Sequence, residues 1–153
     1  MPQWQSPRRA TVTPVIMVKD VMKTIEFAKD VFDGELVDPP LMRSNGELWN
    51  AEMRIGDSTI MFNAPPTGHE IRGFIYVHVP DADATSKKAL DAGAQPVMEP
   101  SEQFYGEYDG GFQDGQGNIW WVSTHRQVLS PEEIEKGARA FEEKMADMQK
   151  QSG

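Results

Sequence analysis

With 153 residues, 39% of them hydrophobic and 25% charged, the chain is long enough for one globular domain or for two half-domains that share a core. A net charge of −9 argues against nucleic acid as a partner, and the lack of any apolar run near the roughly 20 residues that span a bilayer argues against a membrane. The absence of cysteine excludes disulfides, thiolate metal sites and cysteine nucleophiles, and it makes the cytoplasm the expected compartment.

The first half of the chain predicts a strand, a helix and three further strands. A β-branched run at 11–18 predicts the first strand, and Asp20 is the predicted N-cap of the helix. Four apolar residues at helical spacing predict the helix itself: Val21, Ile25, Ala28 and Phe32. Gly34 is predicted to end it. The three strands that follow cover residues 36–42, 48–55 and 58–63, with hairpin turns at 45–46 and 56–57.

The second half repeats this order after a segment rich in turn residues, 65–72, which predicts a linker. The predicted elements are a strand at 74–79, a helix at 81–92 that ends at Gly93, a strand at 95–98 and a last strand at 119–123. Four of the glycines between the last two strands are predicted to occupy tight turns: Gly110, Gly111, Gly115 and Gly117.

The two halves align with each other. Val18-Lys19-Asp20 matches Val79-Pro80-Asp81 at an offset of 61 (81 − 20), and Ile60-Met61 matches Trp120-Trp121 at an offset of 60 (121 − 61). One insertion of net one residue therefore relates the halves over nearly their whole length. This pattern indicates an internal duplication of a βαβββ unit.

The predicted fold class is α+β, with two tandem βαβββ modules at 11–64 and 73–125. One helix covers only one face of each sheet, so the two uncovered faces are predicted to curve around a shared cavity. A flexible N-terminal tail, 1–10, precedes the modules, and a C-terminal helix lies within 126–153.

The C-terminal helix carries a clear start signal and one apolar stripe. Ser130-Pro131-Glu132-Glu133 combines an N-cap, a proline at the first helical position and a capping-box glutamate. The stripe consists of Ile134, Ala138, Phe141, Met145 and Met148. A stripe this regular should be buried, either on its own domain or on a partner subunit, and the sequence leaves both open.

Four stretches resemble the glyoxalase and bleomycin-resistance group of the vicinal-oxygen-chelate superfamily, and within it the PhnB-like branch. They are TPVIMVKDVMKTIEFAKDVF, NAEMRIGDSTIMF, VPDADATSKKALDAGAQPVMEPSEQFYG and DGQGNIWWVSTH. The resemblance covers about residues 11–125, and the tail beginning SPEE is also similar. It implies paired modules around a cavity, usually in a homodimer. In catalytic members of the group, four cavity-facing side chains hold a divalent metal that acts as a Lewis acid.

The resemblance assigns those four metal-ligand positions to Thr13, Met61, Phe74 and Trp121. None of them is histidine, glutamate, aspartate or glutamine. Thioether and ring side chains do not provide the nitrogen or oxygen donors that a divalent ion needs in such a site. We therefore expect neither the glyoxalase-type metal nor any other cofactor.

The residues predicted to face the cavity instead form an apolar, aromatic set with a few polar members. The candidate ligand-binding residues are Met17, Asn50, Glu52, Met61, Phe74, Tyr76, His78, Phe104, Tyr105, Tyr108 and Trp121. The alternative is that the aromatic members simply fill the cavity as core. Tyr108 stands where many relatives have arginine, which makes an anionic substrate less favoured.

The polar candidates have ordinary interpretations as well. His78 shares strand parity with Phe74 and Tyr76, so it is either a base or hydrogen-bonding group in the cavity or an exposed histidine at the end of a strand. Glu52 and Arg54 should lie on the cavity side, paired with each other, with a dimer mate or with a ligand. We expect His69 to be exposed in the linker and His125 to be structural.

These observations predict a metal-free protein that binds or sequesters a small apolar or aromatic molecule by burial and stacking. The alternative is an enzyme of the same fold, of lyase, isomerase or dioxygenase type. Its site would be metal-free or relocated to His78, Glu52 and Asn50. A third possibility is an interaction module with a filled cavity. The sequence assigns no catalytic residue.

Overall fold

The computed structural model describes residues 2–152, without the side chain of residue 67. Within this range there are nine strands and three α-helices. They are β1 (Val15–Met17), α1 (Val21–Phe32), β2 (Glu35–Leu36), β3 (Leu41–Met42), β4 (Leu48–Ile55), β5 (Ser58–Asn63), β6 (Phe74–His78), α2 (Ala82–Asp91), β7 (Gln95–Glu102), β8 (Glu107–Gln113), β9 (Ile119–His125) and α3 (Pro131–Ser152). None of the described helices has the length and hydropathy needed to cross a membrane.

The strands form two mixed sheets, one from each module. In sheet one the order is β1-β5-β4-β2, with β3 also pairing to β4, and in sheet two it is β6-β9-β8-β7. The pairs β1–β5 and β6–β9 are parallel, and the other pairs are antiparallel. This arrangement confirms the predicted α+β fold of two modules with a C-terminal helix.

The strand registers reproduce the internal duplication. Val15 pairs with Met61 in sheet one, and Tyr76 pairs with Trp121 in sheet two, which gives offsets of 61 (76 − 15) and 60 (121 − 61). These are the two offsets found in the sequence. The next strand pairs agree as well: Glu52 of β4 pairs with Met61 in sheet one, and Gly111 of β8 pairs with Trp121 in sheet two. Equivalent positions in the two sheets can therefore be compared directly.

The core lies between the helices and one face of each sheet. Rings from α1 of the first module pack on sheet two of the second: Phe32 lies 5.0 Å from Trp120, and Phe27 lies 6.0 Å from Phe112, centroid to centroid. Trp120 and Phe112 are buried. The helices thus cover one face of each sheet, and we call the other face the open face.

A buried carboxylate fixes the turn between β8 and β9 beneath α1. Asp114 accepts four hydrogen bonds, from the backbone N–H groups of Gln116 and Asn118 (2.9 and 3.0 Å), from Asn118 Nδ2 (2.9 Å) and from Trp120 Nε1 (2.9 Å). Asn118 Nδ2 also lies 3.4 Å from the hydroxyl of Thr24 on α1. This network ties the core-facing side of sheet two to the helix above it.

The ends of α1 differ from the prediction in their chemistry. Asp20 makes no side-chain capping hydrogen bond, and its carboxylate instead lies 3.4 Å from Lys23 Nζ. The residue in the left-handed region at the C-terminus is Asp33, with φ of 53°, and not Gly34. Gly34 is needed for a different reason: a Cβ there would collide with the side chain of Met53.

The strand prediction differs from the structure at two segments that contain proline or glycine. The predicted strand at 36–42 is divided into β2 and β3, because Pro39 and Pro40 lie between them and proline donates no ladder hydrogen bond. The prediction that Gly110 and Gly111 occupy a turn was also wrong, since both lie inside β8. A Cβ on Gly111 would meet three atoms of the Trp121 ring within 3.0 Å. These glycines permit close packing and not a reversal of the chain.

The C-terminal helix begins as predicted. The Glu133 N–H donates to Ser130 Oγ (3.1 Å) and the Ser130 N–H donates to Glu133 Oε1 (3.3 Å), which is the reciprocal capping box. No described side chain of α3 is buried, although the ring of Phe141 lies 5.6 Å from that of Phe104 in the β7–β8 loop. Most of the apolar stripe is therefore not packed on its own chain.

Candidate functional site

The predicted ligand-binding residues separate into two groups. Four lie on the open face of sheet one: Met17, Asn50, Glu52 and Met61. Four lie on the open face of sheet two, and two more lie in the adjoining β7–β8 loop: Phe74, Tyr76, His78 and Trp121, with Phe104 and Tyr105. The relocated catalytic set of His78, Glu52 and Asn50 is thus divided between the two sheets. Asn50 and Glu52 lie together on sheet one, whereas His78 lies on sheet two and contacts Glu107 (3.6 Å).

Tyr108 is separated from both groups. It lies on the core side of β8, and its hydroxyl donates to the carboxylate of Asp83 in the first turn of α2 (2.8 Å). The guanidinium of Arg126 lies 4.7 Å from the centre of its ring. Tyr108 therefore contributes to the contact between α2 and sheet two and not to the open face.

On the open face of sheet one, the charged side chains are paired within the chain. Arg9 Nη2 in the N-terminal segment pairs with Glu52 Oε1. The hydrogen bond from Arg9 lowers the pKa of Glu52, against the opposing effect of its burial. Arg54 pairs with Glu35 (3.2 Å). The structural pairing expected for Glu52 and Arg54 is present, but each has a partner other than the one considered.

The open face of sheet two presents a pair of stacked rings. Phe74 and Trp121 lie 5.9 Å apart, centroid to centroid, at an interplanar angle of 21°. Trp121 rests on Gly111, and Phe74 is 65% exposed. The hydrophobic effect normally removes such a ring from water. In this chain Phe74 is therefore not core.

Beside the rings lies a buried carboxylate. Asp109 Oδ2 accepts hydrogen bonds from the hydroxyls of Tyr105 (2.5 Å) and Tyr76 (3.3 Å). Asp109 is fully buried, and its second oxygen, Oδ1, has no hydrogen-bond partner among the described residues. Burial and the nearby negative charge both raise the pKa of the Tyr105 hydroxyl, and burial is the larger cause. Both tyrosines are thereby held as neutral donors.

A second carboxylate is surrounded by imidazole and hydroxyl groups. Glu107 Oε2 accepts from the hydroxyl of Ser123 (2.6 Å), while Oε1 lies 2.9 Å from His125 Nδ1 and 3.6 Å from His78 Nε2. Burial raises the pKa of Glu107, but its contacts with Ser123, His125 and His78 outweigh this effect, and the net pKa is lowered. Glu107 is therefore ionised at neutral pH.

Four of these residues were missed from the sequence: Glu107, Asp109, Ser123 and His125. Ser123 and His125 follow Trp121 at alternate positions of β9, so strand parity alone would have placed them on the same face. Glu107 and Asp109 were hidden because the glycines after them were assigned to a turn. Once β8 is treated as a strand, both carboxylates alternate onto the open face.

The two modules also border one cavity of about 590 Å³. It is lined by β6, by the β4–β5 hairpin and by the N-terminal segment around Val12. Of the predicted ligand-binding residues, Tyr76 and His78 lie on its wall. Its size is within the range of small-molecule pockets.

The four positions that the family resemblance assigns to metal ligands do not fit a divalent ion. Thr13 precedes β1, Met61 lies in β5, and Phe74 and Trp121 form the ring pair. Hydroxyl, thioether and aromatic groups offer no set of hard donors. In the part of the chain that the structure describes, no group of three or more histidine, aspartate or glutamate residues is arranged to hold a metal ion.

Comparison with known proteins agrees with this architecture. Residues 10–122 match the model of the Glyoxalase/Bleomycin resistance protein/Dioxygenase superfamily. An uncharacterized protein of Mycobacterium bovis is 28% identical over 137 residues, covering 81% of this chain and 89% of that protein.

Two solved structures illustrate the similarity of the fold. TioX from Micromonospora sp. ML1 has a TM-score of 0.60 at 17% identity, covering 79% of this chain and 100% of TioX. The PhnB protein of Bacillus cereus has a TM-score of 0.61 at 13% identity, covering 75% of this chain and 99% of that protein. At these identities the comparison shows the fold alone.

Proposed function

This chain belongs to the Glyoxalase/Bleomycin resistance protein/Dioxygenase superfamily, and we propose that it binds a small aromatic molecule on the open face of sheet two without a metal ion. The observation that carries the proposal is the stacked pair of Phe74 and Trp121, with Phe74 largely exposed. Large exposed apolar groups rimmed by polar ones are typical of binding sites. A flat ring laid on this pair would gain about 0.5–1.5 kcal/mol from aromatic contact beyond the burial of its surface.

The surroundings of the ring pair support an oriented ligand. Tyr76 and His78 lie on the same face, next to the cavity between the modules, and offer hydroxyl and imidazole groups. An apolar platform with a few polar groups at one side is the usual composition of a small-molecule site. The ring would be held by Phe74 and Trp121, and its substituents by the polar side.

Calorimetric titration with naphthalene-, quinoline- and indole-based compounds tests this function. Phe74→Ala should weaken binding of any ligand found by about tenfold, or about 1.4 kcal/mol, without unfolding the protein, because the ring is exposed. Leu41→Ala on sheet one is the matched control, since Leu41 is similarly exposed at 63%. Equal affinities of the wild type and Phe74→Ala would contradict the proposal.

A metal-free acid–base reaction is a second candidate function, supported by the contact between Glu107 and His125. Because the carboxylate of Glu107 contacts Nδ1 of His125, the Nε2 atom of the same ring is left to exchange a proton with a bound substrate. Each compound that binds should be incubated with the protein and analysed by mass spectrometry for conversion. Turnover that survives in both His125→Ala and His78→Ala would exclude this function.

We also propose that the chain is a homodimer formed through the apolar stripe of α3. Phe141, Met145 and Met148 are between 41% and 55% exposed, which supports burial on another subunit. Met145→Glu should convert a dimer into a monomer in sedimentation velocity, whereas Lys144→Glu, off the stripe, should not. A monomeric wild type would contradict this assembly.

The assignment to the PhnB-like branch is likewise our proposal. It is supported by the sequence stretches that resemble that branch. The TM-scores of 0.60 for TioX and 0.61 for the Bacillus cereus PhnB protein do not separate the branches.

A further inference from the structure

We propose that the aromatic ligand of sheet two carries a positively charged nitrogen group, an amidinium or an ammonium, that is bound by the carboxylate of Glu107. This inference rests on the proposed function, because it names the chemical class of that ligand.

The open face of sheet two holds two carboxylates, and among the described residues no lysine or arginine pairs with either of them. Glu107 contacts the histidines His78 and His125 instead. A largely buried carboxylate is costly unless it is paired or fully hydrogen-bonded. Asp109 is fully buried, yet its Oδ1 atom has no partner among the described residues. The face therefore leaves one carboxylate oxygen unsatisfied and both carboxylates without a permanent cation from the described part of the chain.

The duplicated module shows how such a charge is balanced on the other sheet. On the open face of sheet one, the carboxylate of Glu52 accepts the guanidinium of Arg9, which the N-terminal segment brings from 43 positions away. Asp109 and Glu107 lie on the equivalent face of sheet two, beyond the position that corresponds to Glu52. There the described residues supply histidines and hydroxyl groups, and no arginine or lysine pairs with either carboxylate. A cation from outside the chain would pair with a carboxylate on sheet two, as Arg9 pairs with Glu52 on sheet one.

The distances allow one small molecule to use both features. Glu107 Oε2 accepts from Ser123, so the carboxylate lies over that residue. Ser123 is two positions from Trp121 along β9, which corresponds to about 6.6 Å at the rise of a strand. The side chain of Glu107 is 15% exposed, whereas Asp109 is covered by the tyrosines. Glu107 would therefore make the contact with the cation.

Benzamidine and benzamide are matched probes for this site, because they have nearly the same shape and only benzamidine is charged at pH 7.5. Titration followed by heteronuclear NMR should show benzamidine binding at least tenfold more tightly than benzamide, with shifts at Trp121 and Ser123. Glu107→Gln should reduce this ratio to about one. Glu102→Gln is the control, since Glu102 lies on β7, is 67% exposed and pairs with Arg126 outside the face.

The outcomes separate this inference from the function on which it rests. If benzamide binds as tightly as benzamidine and Phe74→Ala weakens both, ring binding stands and the cationic class is overturned. If the preference for benzamidine persists in Glu107→Gln, the assignment of Glu107 is overturned. If neither probe binds the unmodified chain, the inference and the proposed site both fail. The comparison of the two probes needs no variant, so it holds even if Glu107→Gln does not fold.

Discussion

Adding one methyl group at Gly111 should disrupt the ring pair without touching the rings themselves. Gly111 lies opposite Trp121 in the β8–β9 ladder, and an alanine Cβ would stand within 3.0 Å of three atoms of the indole. Ordinary van der Waals contact begins near 3.4 Å. The φ angle of Gly111 is not positive, so alanine would fit the backbone. The whole effect must therefore pass through Trp121, which would tilt away from Phe74.

The cost can be worked out from these contacts. Overpacking of this kind costs about 1–3 kcal/mol. Replacing glycine by alanine where the backbone permits it offsets about 0.4–1 kcal/mol by restricting the unfolded chain. The midpoints of these two ranges leave a net loss of about 1.3 kcal/mol, which lowers the Tm of a chain of this size by about 3–5 °C. Loss of the stacked arrangement should also reduce the affinity for an aromatic ligand by about 2- to 13-fold, which corresponds to about 0.5–1.5 kcal/mol of aromatic contact.

Thermal unfolding and ligand titration of Gly111→Ala, with Gly115→Ala beside it, measure both quantities. A Cβ at Gly115 meets nothing within 4 Å, so that substitution should leave Tm and affinity unchanged. If Gly111→Ala melts and binds like Gly115→Ala, then Trp121 does not rest on Gly111, and the description of the ring pair is incorrect.

Three further predictions concern the carboxylates and the metal. Asp114→Asn should lower the free energy of unfolding, measured in urea, by about 2–6 kcal/mol. The amide nitrogen of the asparagine would face two of the four hydrogen-bond donors, at about 1–3 kcal/mol each. Asp147→Asn on α3 is the control, and equal stability of the two variants would contradict the network. The lowered pKa of Glu107 contributes stability that is present above the ordinary glutamate value and is lost as the pH falls through the folded value. The difference in unfolding free energy between the wild type and Glu107→Gln should therefore shrink below about pH 4.5 in pH-dependent denaturation; a constant difference would contradict it. Elemental analysis of the purified protein should find no stoichiometric divalent metal, and a tightly held ion would overturn the metal-free site.

Most of the fold could be predicted because its signals are local and occur twice. The helical spacing that begins at Val21 and the offset of 61 that relates Val18 to Val79 fixed the order of elements before any contact was known. Strand β8 was lost for the opposite reason. Gly110 and Gly111 have no side chains to alternate, and what holds them in a strand is the close approach of β7 and of Trp121. That constraint comes from distant parts of the sequence, and local pattern does not report it.

The sequence predicted a common face for site residues only where they alternate within a recognised strand. Phe74, Tyr76 and His78 alternate within one recognised strand, so their common face followed from the sequence. Tyr108 was assigned to the cavity side because strand β8 had not been recognised. The alternation of side chains along β8 directs Tyr108 to the other face, where its hydroxyl contacts Asp83. The pairing of Arg9 with Glu52 joins a tail to a strand through the fold alone.

The duplication lets the two open faces be compared position by position, and they differ in both rings and charge. Equivalent positions started from one module, yet sheet one carries Val15 and Met61 where sheet two carries Tyr76 and Trp121. On sheet one the carboxylate of Glu52 is balanced by Arg9. On sheet two the ring of Phe74 is exposed, and no lysine or arginine among the described residues pairs with Glu107 or Asp109. An exposed ring and a carboxylate without such a partner each have an ordinary structural explanation. Their coincidence on one face is what a site for an aromatic cation requires.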